Sequence, residues 1–244
     1  MARIQRALIS VTDKTGVLSF AESLIRLGVD LISTGGTAKL LRDSGLRVKE
    51  VSEVTGFPEM LDGRVKTIHP RIAGGILAIR SNQEHMQAIA DHDIALVDMV
   101  VVNLYPFEKI AAKEGATREE LIENVDIGGP TMIRAAAKNF QDVAVVVSPD
   151  QYDSLARELN ANMGSLSAKT HWRLAQEAFA RTAAYDAAVT AKLSQIDAEG
   201  RSALESETMP LIPAEVCAST CTAAATNKST ITHKRIKDTP DLLT

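Results

Sequence analysis

The sequence predicts an α/β fold with a mostly parallel sheet covered by helices. Short apolar segments alternate with amphipathic segments along the first half of the chain. Residues 97–103 are apolar at both odd and even positions, which is typical of a central parallel strand buried on both faces. Polar turns that contain glycine follow two other apolar segments, at residues 12–16 and 33–37. Parallel sheets of this kind bind ligands at the carboxyl ends of their strands.

The first three strands are predicted from short apolar runs at residues 7–11, 29–32 and 48–51. Between the first two runs, apolar side chains recur at helical spacing from Val17 onward and the pattern ends at Gly28. A shorter helix, around residues 38–42, is predicted between the second and third strands.

The second half of the chain adds the strand at residues 97–103, another at 144–147, a helix opening at Pro149 and a long helix over residues 166–195. Four side chains of the long helix are predicted to pack inward: Leu174, Ala178, Phe179 and Ala183. Its aromatic residues are predicted to be core anchors rather than stacking platforms: Trp172, Phe179 and Tyr185.

Composition excludes several classes of protein. The formal net charge of -4 gives no overall basic face for nucleic acid. We find no signal peptide and no apolar run long enough to span a bilayer, so the sequence predicts a soluble, cytoplasmic protein. The five histidines show no HExxH pattern, and Cys217 and Cys221 lack the further ligands of a zinc site. No metal is therefore expected.

The composition changes after Gly200. Residues 201–244 contain no aromatic residue, are rich in Ser, Thr and Ala, and show no sustained periodicity. We interpret residues 1–199 as one domain and residues 200–244 as an atypical, disordered tail.

Two strand-to-helix turns are candidate phosphate sites. Residues 13–16 (DKTG) and 33–37 (STGGT) offer backbone N–H groups, hydroxyls and one lysine at the same edge of the predicted sheet. Each turn taken alone is better explained as an ordinary capped helix start, and only the two turns together at one edge of the sheet favour a phosphate site. Neither matches the Walker pattern or GxGxxG, which argues against a nucleoside triphosphate or a dinucleotide.

The segment at residues 63–70 (GRVKTIHP) places two cations and a hydroxyl within four residues. In an extended chain, Arg64 and Lys66 point to the same side, where they could hold a phosphate and polarise a reacting oxygen. A solvated basic loop is the alternative interpretation. His69, which precedes Pro70, is interpreted as a structural residue.

Two further clusters are candidates for chemistry. Asn103 and Tyr105 offer hydrogen-bonding groups directly after the strand at residues 97–103, although a simple strand-ending turn would also explain them. Asp126 precedes two glycines that open a helix, and Lys138 is placed about two turns into that helix. A surface lysine is the alternative for Lys138.

Together these clusters resemble the IMP cyclohydrolase domain of the bifunctional purine-biosynthesis proteins. The matching stretches are SVTDKTG (10–16), STGGTAK (33–39), EVTGFPEMLDGRVKTIHP (53–70), NLYPF (103–107) and DIGGPTMIRAAAKN (126–139). The resemblance runs from about residue 4 to about residue 195. It implies a methylglyoxal-synthase-like domain that closes the ring of a formamido-imidazole-carboxamide ribotide to give IMP.

The resemblance also implies roles for individual residues. Contacts to the phosphate and ribose fall to Ser10, Lys14, Thr34, Gly36, Thr37, Arg64 and Thr67. The other implied substrate contacts are Asn103, Ile127 and Gly128. The chemistry falls to Lys66, Tyr105, Asp126 and Lys138. No cofactor and no metal are implied, since the attack is intramolecular.

The chain departs from the family at its end, because residues 201–244 do not resemble the start of the formyltransferase domain that follows in the family. We therefore expect no formyltransferase domain and no formyl transfer from this chain. Three alternatives stay open: a nucleotide-sensing regulatory domain, a methylglyoxal synthase and an inactive truncated product. A ribotide is the expected partner, nucleic acid and membranes are not, and a homodimer is left open.

Overall fold

A computed structural model describes residues 2–104, 107–113 and 115–196, without the side chain of Glu108. Within these residues a five-stranded parallel sheet has the order β3-β2-β1-β4-β5. The strands are β1 (Arg6–Val11), β2 (Asp30–Ser33), β3 (Val48–Glu50), β4 (Met99–Asn103) and β5 (Ala144–Val146). The sheet that the sequence predicts is confirmed.

Helices connect and cover the strands. In chain order they are α1 (Val17–Arg26), α2 (Gly35–Asp43), α3 (Val51–Thr55), α4 (Pro70–Leu77), α5 (Gln83–Asp91), α6 (Phe107–Ala111), α7 (Arg118–Glu123), α8 (Gly128–Lys138), α9 (Tyr152–Ala161) and α10 (Ala168–Leu193), with a short 3-10 turn at Pro149–Gln151. α1 packs against α9, whereas α8 packs against α4 and α10. All five residues of β4 are buried, so the sheet is covered on both faces there.

Local chemistry explains why several elements begin or end where they do. Gly28, at φ 76°, ends α1 in the left-handed conformation that glycine adopts without strain. The side chain of Ser167 accepts a hydrogen bond from the N–H of Thr170 and so caps α10. Val51, which the sequence assigns to the third strand, begins α3 instead, because Glu50 and Glu53 form a capping box there.

The long helix α10 buries one stripe: Thr170, His171, Leu174, Ala175, Ala178, Thr182 and Tyr185. The predictions for Leu174, Ala178 and Tyr185 are confirmed. Those for Trp172, Phe179 and Ala183 are wrong, because these residues lie beside the stripe and are exposed. Trp172 instead contacts the edge of Phe140, and Phe179 lies under the guanidinium of Arg134.

Residues 200–244, predicted to be a disordered tail, lie outside the described part of the chain. Within the described part, no helix is both long enough and apolar enough to cross a membrane.

Candidate active site

A cavity of about 720 Å³ opens at the carboxyl ends of the strands. Ser10 and Asn103, near the ends of neighbouring strands β1 and β4, contribute to its floor, and Thr34 follows β2. Its other walls come from residues 62–67, the segment before and at the start of α8, and the end of α10. The volume lies within the roughly 300–1,000 Å³ of small-molecule sites.

One wall of the cavity includes Thr34, the residue directly before the amino-terminal end of α2. The hydroxyls of Ser10 and Thr34 are 3.0 Å apart and join the end of β1 to this helix start. The first N–H groups of a helix have no partner within the helix, and they carry partial positive charge. This wall can therefore bind an anion.

Two ammonium groups lie beside this helix start. The Nζ atom of Lys66 lies 2.9 Å from the position that a Cβ on Gly35 would occupy. The Nζ atom of Lys14 lies 3.9 Å from the corresponding position on Gly36. The absence of a side chain at Gly35 makes room for Lys66, whereas Lys14 would be in ordinary contact with a side chain at Gly36. Two positive charges and free N–H groups together form a cradle for a phosphate.

Asn103 fixes the loop that carries Lys14. Its Oδ1 atom accepts hydrogen bonds from the N–H groups of Thr12 (2.7 Å) and Asp13 (3.0 Å). Its Nδ2 atom donates to the carbonyl of Asp13 at 2.8 Å. Three hydrogen bonds to the backbone therefore fix the amide, and the second N–H of its Nδ2 makes no hydrogen bond within the described residues. Asn103 thus shapes the site and lines the cavity.

We expect Asn103→Leu to lower the free energy of unfolding by about 1–3 kcal/mol, because it leaves the backbone groups of Thr12 and Asp13 without partners. It should also weaken phosphate binding, since the loop that carries Lys14 loses its clamp. Urea unfolding measures the first effect. Asn160→Leu on the exposed face of α9 is the matched control, because that amide makes one hydrogen bond on the surface. Equal loss of stability in the two variants would contradict the role given to Asn103.

A tight turn forms the second wall of the cavity. Met60 and Val65 form an isolated antiparallel bridge, and the turn between them places Leu61 and Asp62 at φ 54° each. This left-handed conformation is costly for residues with side chains. The turn presents Arg64 and Lys66 to the cavity, as the sequence predicts for these two cations.

Both cations have carboxylate partners in this structure. Arg64 forms an ion pair with Glu123 of α7, through Nε at 3.2 Å and through Nη2. The Nζ atom of Lys66 lies 2.8 Å from Oε2 of Glu59. Glu123 lines the cavity beside Arg64, so an anionic ligand that binds Arg64 has to displace this carboxylate.

Asp126 lines the cavity directly before the start of α8. Its Oδ1 atom accepts a hydrogen bond from the N–H of Gly129 at 2.9 Å, and its own N–H donates to the hydroxyl of Tyr185 at 2.7 Å. Burial raises the pKa of the Asp126 carboxyl, and the bond from Gly129 partly opposes that rise. Within the described residues, Asp126 forms no salt bridge. A half-buried carboxyl without a cation is suited to proton transfer.

Gly128 and Gly129 allow the start of α8 to approach the cavity closely. A Cβ on Gly128 would lie 2.9 Å from the hydroxyl oxygen of Thr67, and one on Gly129 would overlap the Asp126 carboxylate. Ile127 is exposed beside them, and all of these residues line the cavity. The structure thus brings Thr67, Ile127 and Gly128 to the site, where the sequence places them.

Two predicted site residues have other positions. Thr37 is buried, and its hydroxyl both donates to the carbonyl of Val11 (2.9 Å) and accepts from its N–H (3.1 Å), so its side chain is structural. Lys138 lies in the last turn of α8, is exposed and does not line the cavity. Ten residues of helix separate it from Gly128, which corresponds to about 15 Å. Tyr105 lies outside the described residues.

Sequence reasoning missed other residues of the site. Glu59 and Glu123 pair with the two cations, and Tyr185, Val189 and Leu193 bring α10 to the cavity. Surface glutamates and helix residues are common, and their partners are far away in sequence. The one local signal is the capping box of Thr117 and Glu120. It marks the start of α7, the helix that ends at Glu123, shortly before Asp126.

Comparison with known proteins agrees with this architecture. The chain matches the MGS-like domain family over residues 16–131 and the AICARFT/IMPCHase bienzyme family over residues 136–227. The second match extends beyond residue 199, where the sequence predicts that the domain ends.

Individual relatives extend this comparison. The bifunctional purine biosynthesis protein PurH of Magnetococcus marinus is 57% identical over 201 residues, which are 82% of this chain and 38% of that protein. The chain thus spans less than half the length of this relative.

Solved structures give further matches. The crystal structure of ForH is 35% identical, with a TM-score of 0.68, over 78% of this chain and 98% of its own. A methylglyoxal synthase from Elizabethkingia anophelis matches at 15% identity and a TM-score of 0.31, over 63% of this chain and 77% of its own. From the two family matches and the relatives at 57% and 35% identity, we conclude that the chain belongs to the AICARFT/IMPCHase bienzyme family and carries its MGS-like domain.

Proposed function

We propose that this chain is an IMP cyclohydrolase, which closes the ring of 5-formamidoimidazole-4-carboxamide ribotide to give IMP and water. One observation carries the proposal: a single cavity is lined both by residues suited to a phosphate, Ser10, Thr34 and Arg64, and by Asp126, a carboxyl whose pKa is raised by burial. The similarity to PurH supports the same assignment and a cytoplasmic enzyme of purine biosynthesis.

The substrate would bind with its 5′-phosphate at the start of α2, beside Lys14, which leaves Lys66 for the reacting end of the substrate. Arg64 and Thr67, from the second wall, would contact the phosphate and the ribose. Binding of the phosphate fixes the ribotide, so that binding energy is used to orient the reacting groups. The imidazole would then face Asp126.

In the reaction, the carboxamide nitrogen attacks the formyl carbon and a C–N bond forms. The nitrogen gives up a proton, which Asp126 accepts, and the formyl oxygen becomes part of a tetrahedral centre. The positive charge of Lys66 and the N–H groups at the start of α8 stabilise the negative charge on that oxygen. The oxygen then takes up two protons and leaves as water, while the formamido nitrogen loses its proton and forms the C=N bond that completes the aromatic ring. The carboxamide nitrogen keeps its remaining hydrogen.

The proposal gives no step to Lys138, because its exposed position at the end of α8 keeps it away from Asp126. The role that the resemblance gives Tyr105 stays a prediction. A regulatory nucleotide-binding domain is the main alternative. It would need the phosphate cradle but not a half-buried carboxyl in the same cavity, and so the position of Asp126 favours an enzyme.

The direct test is an assay of the purified chain with the formylated ribotide, followed by the absorbance of the purine product. We expect turnover in the wild type and a loss on the order of 100-fold in Lys66→Ala. Lys39→Ala is the matched control, because Lys39 is an exposed lysine of α2 that pairs with Asp43. IMP should also raise the melting temperature of the wild type, since it binds the folded state only. Stabilisation by IMP without turnover would favour the regulatory alternative.

A further inference from the structure

We propose that Glu59 is a positioning residue, which holds the ammonium group of Lys66 in the cavity from behind. This inference rests on the proposed function, because that function gives Lys66 its task. Glu59 itself touches no substrate in this proposal. It acts through Lys66 alone.

The backbone of the turn places the two side chains opposite each other. Met60 and Val65 exchange two N–H···O bonds of 3.2 Å each across the antiparallel bridge. Glu59 and Lys66 are the next residues outward on the two sides of that bridge. Their side chains meet with 2.8 Å between Nζ and Oε2. The turn and the ion pair are therefore one unit.

The positions of Glu59 and Glu123 relative to the cavity differ. Lys66 lines the cavity and its side chain is 25% exposed, whereas Glu59 does not line the cavity and is 48% exposed. The carboxylate therefore holds the ammonium from the side away from the ligand. Glu123, by contrast, lines the cavity beside Arg64, where it would compete with an anionic ligand. Only Glu59 can keep its cation while a ligand is bound.

Two glycines make room for this ion pair. A Cβ on Gly63, at φ 89°, would lie 2.7 Å from Oε1 of Glu59. A Cβ on Gly35, at φ 46°, would lie 2.9 Å from Nζ of Lys66. The ion pair thus spans the gap from the turn to the start of α2, with a glycine at each end. A side chain on either glycine would push the charged group beside it away from its position.

Fixing Lys66 in this way serves the reaction. A lysine side chain has a flexible four-carbon stem and loses much freedom when its ammonium is held at one point. Glu59 imposes that order before the substrate arrives. The carboxylate of Glu59 contacts one side of the ammonium of Lys66, so the other N–H groups are free to point into the cavity. Small displacements of such a group have large effects on rate.

A double-mutant cycle tests whether Glu59 acts through Lys66. We expect Glu59→Gln to lower kcat/KM for the formylated ribotide about tenfold in the wild type. In a Lys66→Met background it should change kcat/KM less than twofold, because no ammonium remains to be positioned. Glu59→Asp, which keeps the charge on a shorter stem, should fall between wild type and Glu59→Gln. Equal losses in the two backgrounds, or wild-type activity in Glu59→Gln, would overturn the proposal.

A second measurement does not depend on activity. The side-chain ¹⁵N relaxation of Lys66 should show an ordered ammonium in the wild type and a mobile one in Glu59→Gln. Lys14 is the internal reference, because it is exposed and forms no salt bridge within the described residues. Glu22→Gln, which removes an exposed partner of Arg26, is the matched control and should leave Lys66 ordered. If the wild type fails to cyclise the ribotide, the proposed function fails. The relaxation data then decide separately whether Glu59 orders Lys66. If the ammonium of Lys66 is as mobile as that of Lys14 in the wild type, the proposal for Glu59 is refuted.

Discussion

Asp126→Asn should abolish most of the cyclisation without weakening the fold. We expect a fall in kcat on the order of 100-fold or more, the usual contribution of a positioned acid or base. Asparagine keeps an oxygen that can accept the hydrogen bond from the N–H of Gly129, so the start of α8 should be unchanged. The loss would therefore report on proton transfer and not on misfolding.

The direction in which Asp126→Asn changes the free energy of unfolding follows from the pKa of Asp126. The pKa of Asp126 is raised in the folded protein by burial, so the folded state favours the protonated carboxyl. That contribution to stability is present at low pH and is lost as the pH rises through the raised pKa. At neutral pH the ionised carboxyl therefore lowers the free energy of unfolding. Asparagine removes this cost, and Asp126→Asn should be at least as stable as the wild type at pH 7.

Two measurements check this prediction. Urea unfolding at neutral pH should give Asp126→Asn a midpoint equal to or above that of the wild type, and the difference should shrink in acid. The kcat of the wild type should fall as the pH drops through the raised pKa of Asp126, and the residual activity of the variant should lack that fall. A clearly less stable variant would show that the carboxylate is structural. Wild-type turnover would remove Asp126 from the mechanism.

Gly75→Ala should have the largest effect on stability. Gly75 lies in α4, where its carbonyl accepts a hydrogen bond from the N–H of Val97 at 2.9 Å. A Cβ at this position would overlap the backbone carbonyl of Ala95 at a distance that real Cβ atoms do not show. Backbone cannot move aside as the end of a side chain can. We expect a loss of about 3 kcal/mol in the free energy of unfolding, the upper part of the usual range for overpacking.

The neighbouring glycine provides a matched control. A Cβ on Gly74 would meet only the ends of two isoleucine side chains, Ile94 at 3.2 Å and Ile89 at 3.5 Å. Those methyl groups can shift, and alanine is favoured over glycine in a helix by up to about 1 kcal/mol. Gly74→Ala should therefore be near neutral in urea unfolding. If the two variants unfold at the same urea concentration, the close approach of α4 to residue 95 does not limit stability.

The fold could be predicted to a large extent because its signals are local. The uniform apolar character of β4 and the spacing of Val17 and Phe20 in α1 depend only on neighbouring residues. Which face of α10 is buried was harder to predict. Alanine is frequent along this helix, so hydrophobicity does not distinguish the buried Ala178 from the exposed Ala183. The packing of α8, β5 and α6 against α10 decides which side is covered.

The residues of the site also differ in whether a local signal in the sequence identifies them. Ser10, Thr34 and Lys66 could be identified because strand ends and glycine turns show in the sequence. Glu123 could not, since its partner Arg64 is 59 residues away and a surface glutamate has no signature. Lys138 lies in the last turn of α8, ten positions beyond Gly128, and the role that the resemblance gives it stays a prediction.

The order of the strands has a consequence for synthesis on the ribosome. β1, in the middle of the sheet, pairs with β4, and the 87 residues from 12 to 98 lie between the two strands. A nascent chain that ends at β3 has half of its central strand unpaired and no floor for the cavity. Closing so long a segment is slow, and exposed strand edges invite aggregation. The last wall, with Val189 and Leu193, is translated near the end of the described chain. The emerging polypeptide therefore passes through a long interval in which β1 is complete and β4, its second partner strand, has not been made. A chaperone that shields this edge of β1 should raise the yield of folded protein.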